Sequence, residues 1–365
     1  MNLLPKEEVK TIRKTLKTTY LFDGFWDRWV AHGLHEDFPK QDRKPLTSLE
    51  NWIESLENEA IKRKEQAETK KQTNRFREAE QLLRQASLYY NLIYWVFPQN
   101  NEYKQDWYKR CKALMKAADD LSSIETKSVE LIIDGHICYG RTRYPKNPKG
   151  CIIIINPIDS SKEELYKYEM YFNEQNYITV SFDGPGQGET YLNGLIGTRQ
   201  RWEAFVNAVI DYSGESFPDQ KIYLFGTSLG ASWALYGSAH PLVEKVSAVS
   251  PGVELENMNL PKYFMERMDF CHIISPETSS IPYFDQINYR APVLLFHGGK
   301  DPMVPYKQME LLFKKIPYGK QYVEYPEESH CCNHKIQDLL KLTVDWFEDK
   351  HPPLVNERGD IYVEA

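Results

Sequence analysis

At 365 residues the chain is long for one hydrophobic core, so two structural parts are expected, and its net charge of −7 lacks the basic excess that a nucleic-acid surface needs. No run approaches the roughly 20 apolar residues of a membrane-spanning helix, and residues 1–19 carry lysine and glutamate where a signal peptide has its apolar core. A soluble, cytoplasmic protein with no membrane partner is therefore expected; its six cysteines show neither zinc-type spacing nor framework density, which points to free thiols in a reducing compartment, and the sequence as a whole implies no metal or organic cofactor.

In chain order, residues 49–56, 75–96 and 102–121 place apolar side chains three and four apart among lysine, glutamate and glutamine, the pattern of amphipathic helices. The charge-rich stretch 57–73 between them reads as an exposed helix or a mobile connection. From residue 127 the rhythm changes: short β-branched runs alternate with helical segments, as when strands are linked by crossover helices. Residues 129–134 and 137–144 read as a hairpin around Gly135, followed by strand-length runs at 151–156, 178–183, 222–226, 246–250, 293–297 and 322–325. Four of these are almost continuously apolar, as parallel strands covered on both faces are. Helical patterns fill 162–173, 197–212, 229–239, 306–315 and 333–349. The stretch 251–290 exceeds an ordinary connection and is rich in aromatic residues and methionine, which suits a lid over a substrate. The expected division is an all-helical part, 1–126, and a mostly parallel, doubly wound α/β part, 127–365.

The strongest chemical signal is Gly226-Thr227-Ser228-Leu229-Gly230, lying between a strand and a helix pattern. A strand that turns this sharply into a helix needs glycine on each side of a serine held above the sheet, the nucleophile elbow of the α/β-hydrolase fold. A serine capping the following helix is the plainer explanation, but it leaves the flanking glycines unexplained. A serine hydroxyl needs a base, and the base an orienting carboxylate. Asp301 follows the strand 293–297 in His297-Gly298-Gly299-Lys300-Asp301, and His330 follows the last strand in Glu327-Glu328-Ser329-His330. The order serine, aspartate, histidine is the one this fold uses.

Other residues compete for these roles. His334, one turn past His330, belongs to the last helix pattern, and His297 is expected to pack beneath the Asp301 loop. His32, His35, His136, His240 and His272 have no motif context. Asp183, in Asp183-Gly184-Pro185-Gly186-Gln187-Gly188-Glu189, precedes the nucleophile and reads as a turn-stabilising carboxylate. An oxyanion needs backbone donors: the N–H of Leu229 is one, and a second should come from the loop after the strand 151–156. Pro157 has no N–H, which leaves Ile158, with Asp159 as the near alternative.

Taken together, Asp159-Ser160-Ser161-Lys162-Glu163-Glu164, Phe182-Asp183-Gly184-Pro185-Gly186-Gln187-Gly188-Glu189, the elbow and His330-Cys331-Cys332 resemble the 2,6-dihydroxypseudooxynicotine hydrolase and FrsA-like esterase family of α/β-hydrolases. Gln85-Ala86-Ser87-Leu88-Tyr89-Tyr90 is similar to the family's cap-helix pattern. The resemblance implies an α/β-hydrolase fold with an N-terminal helical cap, Ser228, Asp301 and His330 as nucleophile, acid and base, and dimerisation, which is common among relatives. Two features depart from the family pattern: Asn156-Pro157 stands where relatives often have paired glycines, and the additional glutamate that the resemblance implies for carbon–carbon cleavage has no clear counterpart, since the nearby candidates Glu254 and Glu256 read as surface glutamates.

The expected function is hydrolysis of an ester or amide in a small, apolar or aromatic substrate through an acyl-enzyme on Ser228. Tyr89, Tyr90, Tyr94 and Trp95 suggest the aromatic character, although such a stripe also serves packing. Alternatives are carbon–carbon hydrolysis of a β-diketone or polyketide-like substrate, a biosynthetic acyl transferase or cyclase, and a binding protein on a hydrolase scaffold.

Overall fold

The computed structural model describes residues 4–38, 40–41, 43–273, 279–317 and 319–350, and the chain forms two compact units. The first comprises Met1–Thr126, Asp159–Lys167 and Pro261–Cys271; the second comprises Lys127–Ile158, Tyr168–Leu260 and His272–Ala365.

The first unit is helical: α1 (Lys6–Leu21), α2 (Asp23–Ala31), α3 (Leu49–Gln72), α4 (Phe76–Val96) and α5 (Glu102–Asp119). α3 starts where Ser48 Oγ accepts the Asn51 N–H at 3.2 Å, and α5 where Asn101 Oδ1 accepts the Lys104 N–H at 2.9 Å, each cap satisfying an N-terminal amide. The charged stretch 57–73 forms the C-terminal part of α3 and its C-cap residue Thr73, and is anchored by buried Ala60 and Ala67, with the Arg63 guanidinium 4.4 Å from the Tyr89 ring centre. Asn74, with φ of 56°, turns the chain into α4. The second half of α4 is buried on every side, so Tyr89, Tyr90, Tyr94 and Trp95 are spent on packing against Phe38, Trp107, Tyr108 and Phe25.

Sequence rhythm gives one boundary at residue 126, whereas two later segments also join this unit, through polar contacts that no local pattern announces. Arg28 donates to Asp159 at 2.8 Å and to Glu164 at 2.7 Å, and Ser161 Oγ pairs with Asn91 Oδ1 at 2.9 Å. Arg267 donates to the Trp95 and Val96 carbonyls and lies 4.0 Å from the Trp95 ring centre. Of the stretch 251–290, expected to act as a lid, 261–271 therefore belongs to the helical unit, and 274–278 lie outside the described residues.

The second unit holds an eight-stranded sheet in the order β1-β2-β4-β3-β5-β6-β7-β8. Its strands are β1 (Glu125–Ile133), β2 (His136–Tyr144), β3 (Cys151–Ile155), β4 (Ile178–Phe182), β5 (Ile222–Thr227), β6 (Val243–Val249), β7 (Val293–Gly298) and β8 (Lys320–Tyr325). β2 pairs antiparallel with β4, and every pairing from β4 to β8 is parallel. β3, β4, β5 and β7 are buried at every position, as strands covered on both faces are. The helices are α6 (Tyr166–Glu174), α7 (Gly188–Leu192), α8 (Arg199–Ser216), α9 (Leu229–Gly237), α10 (Lys262–Met268, in the first unit), α11 (Tyr306–Lys315) and α12 (Ile336–Phe347). Trp202 of α8 stacks on Trp233 of α9 at 5.7 Å, both fully buried.

A buried ion cluster ties α6 to β2: Glu169 accepts from Arg141 Nε at 2.9 Å and from Arg143 Nε. Burial alone would raise the Glu169 carboxyl, but the two guanidiniums hold it below the usual carboxylate range. Removing one partner strands the others in a dry interior. Glu169→Ala is therefore expected to cost about 3–5 kcal/mol, measured as a lower urea midpoint at unchanged slope. A loss under about 1 kcal/mol, as for a solvated pair, would show that water already shares the cluster.

Candidate active site

The elbow is built as its sequence requires. β5 ends at Thr227, Ser228 takes φ 55° and ψ −122°, and α9 starts at Leu229. That conformation is costly for a residue with a side chain and recurs where a strained turn presents a nucleophile. Both glycines are forced by close backbone approach. A methyl group on Gly226 would lie 2.2 Å from the Gly230 carbonyl oxygen, and one on Gly230 would lie 2.0 Å from the Ile155 carbonyl oxygen.

Two loops at the carboxyl ends of β7 and β8 bring Asp301 and His330 to Ser228. His330 Nε2 lies 2.9 Å from Ser228 Oγ, and His330 Nδ1 lies 2.7 Å from Asp301 Oδ2. With Nδ1–H donating to the carboxylate, the Nε2 lone pair faces the Ser228 hydroxyl. The other Asp301 oxygen accepts the Met303 and Val304 N–H groups at 2.8 and 3.0 Å. Burial raises the Asp301 carboxyl, but the imidazole and these amides outweigh it and hold the group below its ordinary range. Burial likewise lowers His330, yet the adjacent carboxylate dominates and its pKa sits well above the ordinary imidazole value.

The loops meet because Gly298 allows it: a methyl group there would lie 2.3 Å from the Ser329 carbonyl oxygen, and the Lys300 N–H donates to the Glu328 carbonyl at 2.9 Å. Directly after His330, Cys331 and Cys332 both have left-handed φ, 67° and 51°. The Cys331 N–H donates to Ser250 Oγ at 3.1 Å. This turn, which a cysteine pair does not advertise, sets the direction from which His330 reaches the serine.

The Leu229 and Ile158 N–H groups, expected to face an oxyanion, have no hydrogen-bond acceptor among the described residues. Asp159, the alternative to Ile158, lies in the first unit, where its carboxylate accepts from Arg28 and from Trp95 Nε1 at 2.9 Å.

The competing residues have other work. His297 is buried and its Nε2–H donates to the Val304 carbonyl at 3.1 Å, bracing the Asp301 loop. His334 lies in the short 3-10 stretch His330–Lys335 and stands 3.4 Å from Glu328. Asp183 accepts the Glu189 N–H at 2.8 Å across its turn. Glu254 stands 3.4 Å from Lys315, and neither it nor Glu256 hydrogen-bonds to Ser228, Asp301 or His330. Sequence reasoning missed Gln187 and His272, both of which hold the loop that carries Ile158. Gln187 stood inside a motif already singled out; His272 carried no signal.

Among known proteins, the chain is 30% identical over 346 residues to the 2,6-dihydropseudooxynicotine hydrolase of Paenarthrobacter nicotinovorans, a match covering 89% of this chain and 91% of the other. The crystal structure of a 2,6-dihydroxy-pseudo-oxynicotine hydrolase superposes with a TM-score of 0.74 at 20% identity, covering 93% of this chain and 98% of that one. An esterase from Pyrococcus furiosus gives a TM-score of 0.52 at 15% identity over 63% of this chain and 92% of its own. No family model matches the chain. No helix among the described residues is long and apolar enough to cross a membrane.

Proposed function

We infer, since the chain belongs to the α/β-hydrolase family of 2,6-dihydroxypseudooxynicotine hydrolase, that this hydrolase works through an acyl-enzyme on Ser228. The observation that carries the reading is the unbroken chain Ser228 Oγ, His330, Asp301, at 2.9 and 2.7 Å. Ser228 attacks a carbonyl carbon while His330 Nε2 takes the hydroxyl proton, and Asp301 holds the imidazole in the tautomer that can accept it. The Leu229 and Ile158 amides stabilise the negative oxygen of the tetrahedral intermediate. The imidazolium then protonates the leaving group, and water, activated by the same histidine, releases the acyl group and restores the serine.

The scissile bond is proposed to be an ester or amide in a small apolar or aromatic substrate. Support for this choice over carbon–carbon cleavage is that neither Glu254 nor Glu256 joins the serine's hydrogen-bond chain. A β-diketone belongs beside the aryl esters and amides in a substrate panel, because it tests the alternative of carbon–carbon cleavage. Turnover of the diketone alone would reverse the preference.

A fluorophosphonate probe tests the nucleophile directly. Wild-type protein is expected to be labelled on the peptide containing Ser228, and Ser228→Ala is expected to remain unlabelled. Equal labelling of the two proteins, or none of the wild type, would sink the reading and favour a binding protein on a hydrolase scaffold.

A further inference from the structure

We propose that Gln187 is a positioning residue that aims the second oxyanion donor by fixing the peptide which carries the Ile158 N–H. The inference rests on the serine-hydrolase reading above and adds to it a residue outside the serine, histidine and aspartate.

Gln187 is 1% exposed, and its carboxamide spans two turns of the second unit. Its Nε2 donates to the Pro157 carbonyl at 2.6 Å and to the Asn156 carbonyl at 3.2 Å, while its Oε1 accepts the Gly184 N–H at 3.0 Å. The Pro157 oxygen and the Ile158 N–H belong to one planar peptide and, since no peptide bond here is cis, they point to opposite sides of it. A side chain that grips the oxygen therefore aims the N–H away from itself.

The next peptide is held as well. His272 Nε2–H donates to the Ile158 carbonyl at 3.2 Å, its Nδ1 accepts from Ser280 Oγ at 3.0 Å, and the Ser280 carbonyl accepts Trp233 Nε1–H at 2.8 Å. Both peptide planes around Ile158 are thus clamped from side chains far away in the sequence. On its other side the loop lies directly against the elbow, because a methyl on Gly230 would stand 2.0 Å from the Ile155 oxygen and 2.7 Å from the Asn156 oxygen. Pro157 contributes no N–H of its own, so Ile158 carries the first amide after the proline, and its direction depends on the two clamps.

An oxyanion donor is effective only when it is oriented before the charge develops. Losing the Gln187 clamp should therefore slow attack on an electrophile without disturbing the base. The test is the second-order rate at which a fluorophosphonate probe modifies Ser228 in the full-length protein. Gln187→Met keeps the volume and removes the donors; Gln187→Glu keeps an acceptor for the Gly184 N–H and serves as the second variant where the first folds poorly. Each is expected to react about 100-fold more slowly than wild type, with the pH midpoint of labelling unchanged because the His330–Asp301 pair is intact.

Thr190→Val is the control. Its hydroxyl bonds to the Asp183 carbonyl at 2.7 Å and receives the Tyr139 N–H at 3.1 Å in the same turn, so it tests for general damage there. It is expected to react at the wild-type rate. Wild-type rates in both Gln187 variants, or equal slowing in the Thr190 and Gln187 variants, overturn the proposal while leaving the serine reading intact. An unlabelled wild type overturns both.

Discussion

Ser228→Ala is expected to lower kcat by about 10⁶-fold, His330→Ala by nearly as much, and the double variant by no more than either alone. Non-additivity follows from the geometry. In the proposed mechanism Ser228 Oγ is a nucleophile only while Nε2, 2.9 Å away, can take its proton. Once the imidazole is gone the hydroxyl is an ordinary alcohol, and once the hydroxyl is gone the imidazole has nothing to activate. What survives is the contribution of substrate binding and the oxyanion amides, expected to stay about 10³–10⁴-fold above the uncatalysed reaction. Steady-state kinetics on the best substrate from the panel, with all three proteins purified in parallel, measure this directly. Losses that multiply in the double variant would mean the two residues act in separate steps, which the proposed mechanism forbids.

Asp301→Asn is expected to reduce kcat by about 10⁴-fold and to move the acid limb of the pH profile downward. The amide is nearly isosteric, so the two loop N–H bonds to the residue 301 side chain are kept. Its NH₂, however, favours the tautomer with the proton on Nε2, where the serine needs an acceptor. The sign of the pH effect follows from the carboxylate. In the wild type Asp301 stabilises the imidazolium and lifts His330 above the ordinary imidazole value, so the active neutral base accumulates only as pH rises past that raised pKa. Without the carboxylate, the strongest influence that raises the ring is gone and burial, which favours the neutral imidazole, weighs more heavily, so the limb shifts to lower pH even as the plateau collapses. A profile of kcat/KM against pH separates the two effects. An unchanged limb would show that Asp301 does not set the histidine's proton affinity.

The fold and much of the candidate site are legible in the sequence because they are written in short-range patterns. Unbroken apolar runs such as 151–155 mark strands with two covered faces, and Gly226 and Gly230 mark a backbone too close to its neighbours for any Cβ. Less legible was everything that depends on one polar side chain meeting a distant backbone group. Arg28 gives no hint of Asp159 and Glu164, more than 130 positions away. His272, without motif context, holds the Ile158 carbonyl, and the aromatic stripe of α4 turned out to be packed against other rings.

By itself, then, the amino-acid order determined the α/β-hydrolase fold, the strained turn at residue 228, and which residue types stand at the ends of β5, β7 and β8. These are consequences of local sterics and of periodic burial, both of which act over a few residues. Tertiary structure alone decided that Asp301 and His330 lie 2.7 Å apart, that 159–167 and 261–271 join the helical unit, and that Gln187 grips the Pro157 carbonyl. Such contacts depend on directional bonds between groups brought together by the crossovers of the sheet and by the packing of helices, and no local pattern encodes which pairs will meet.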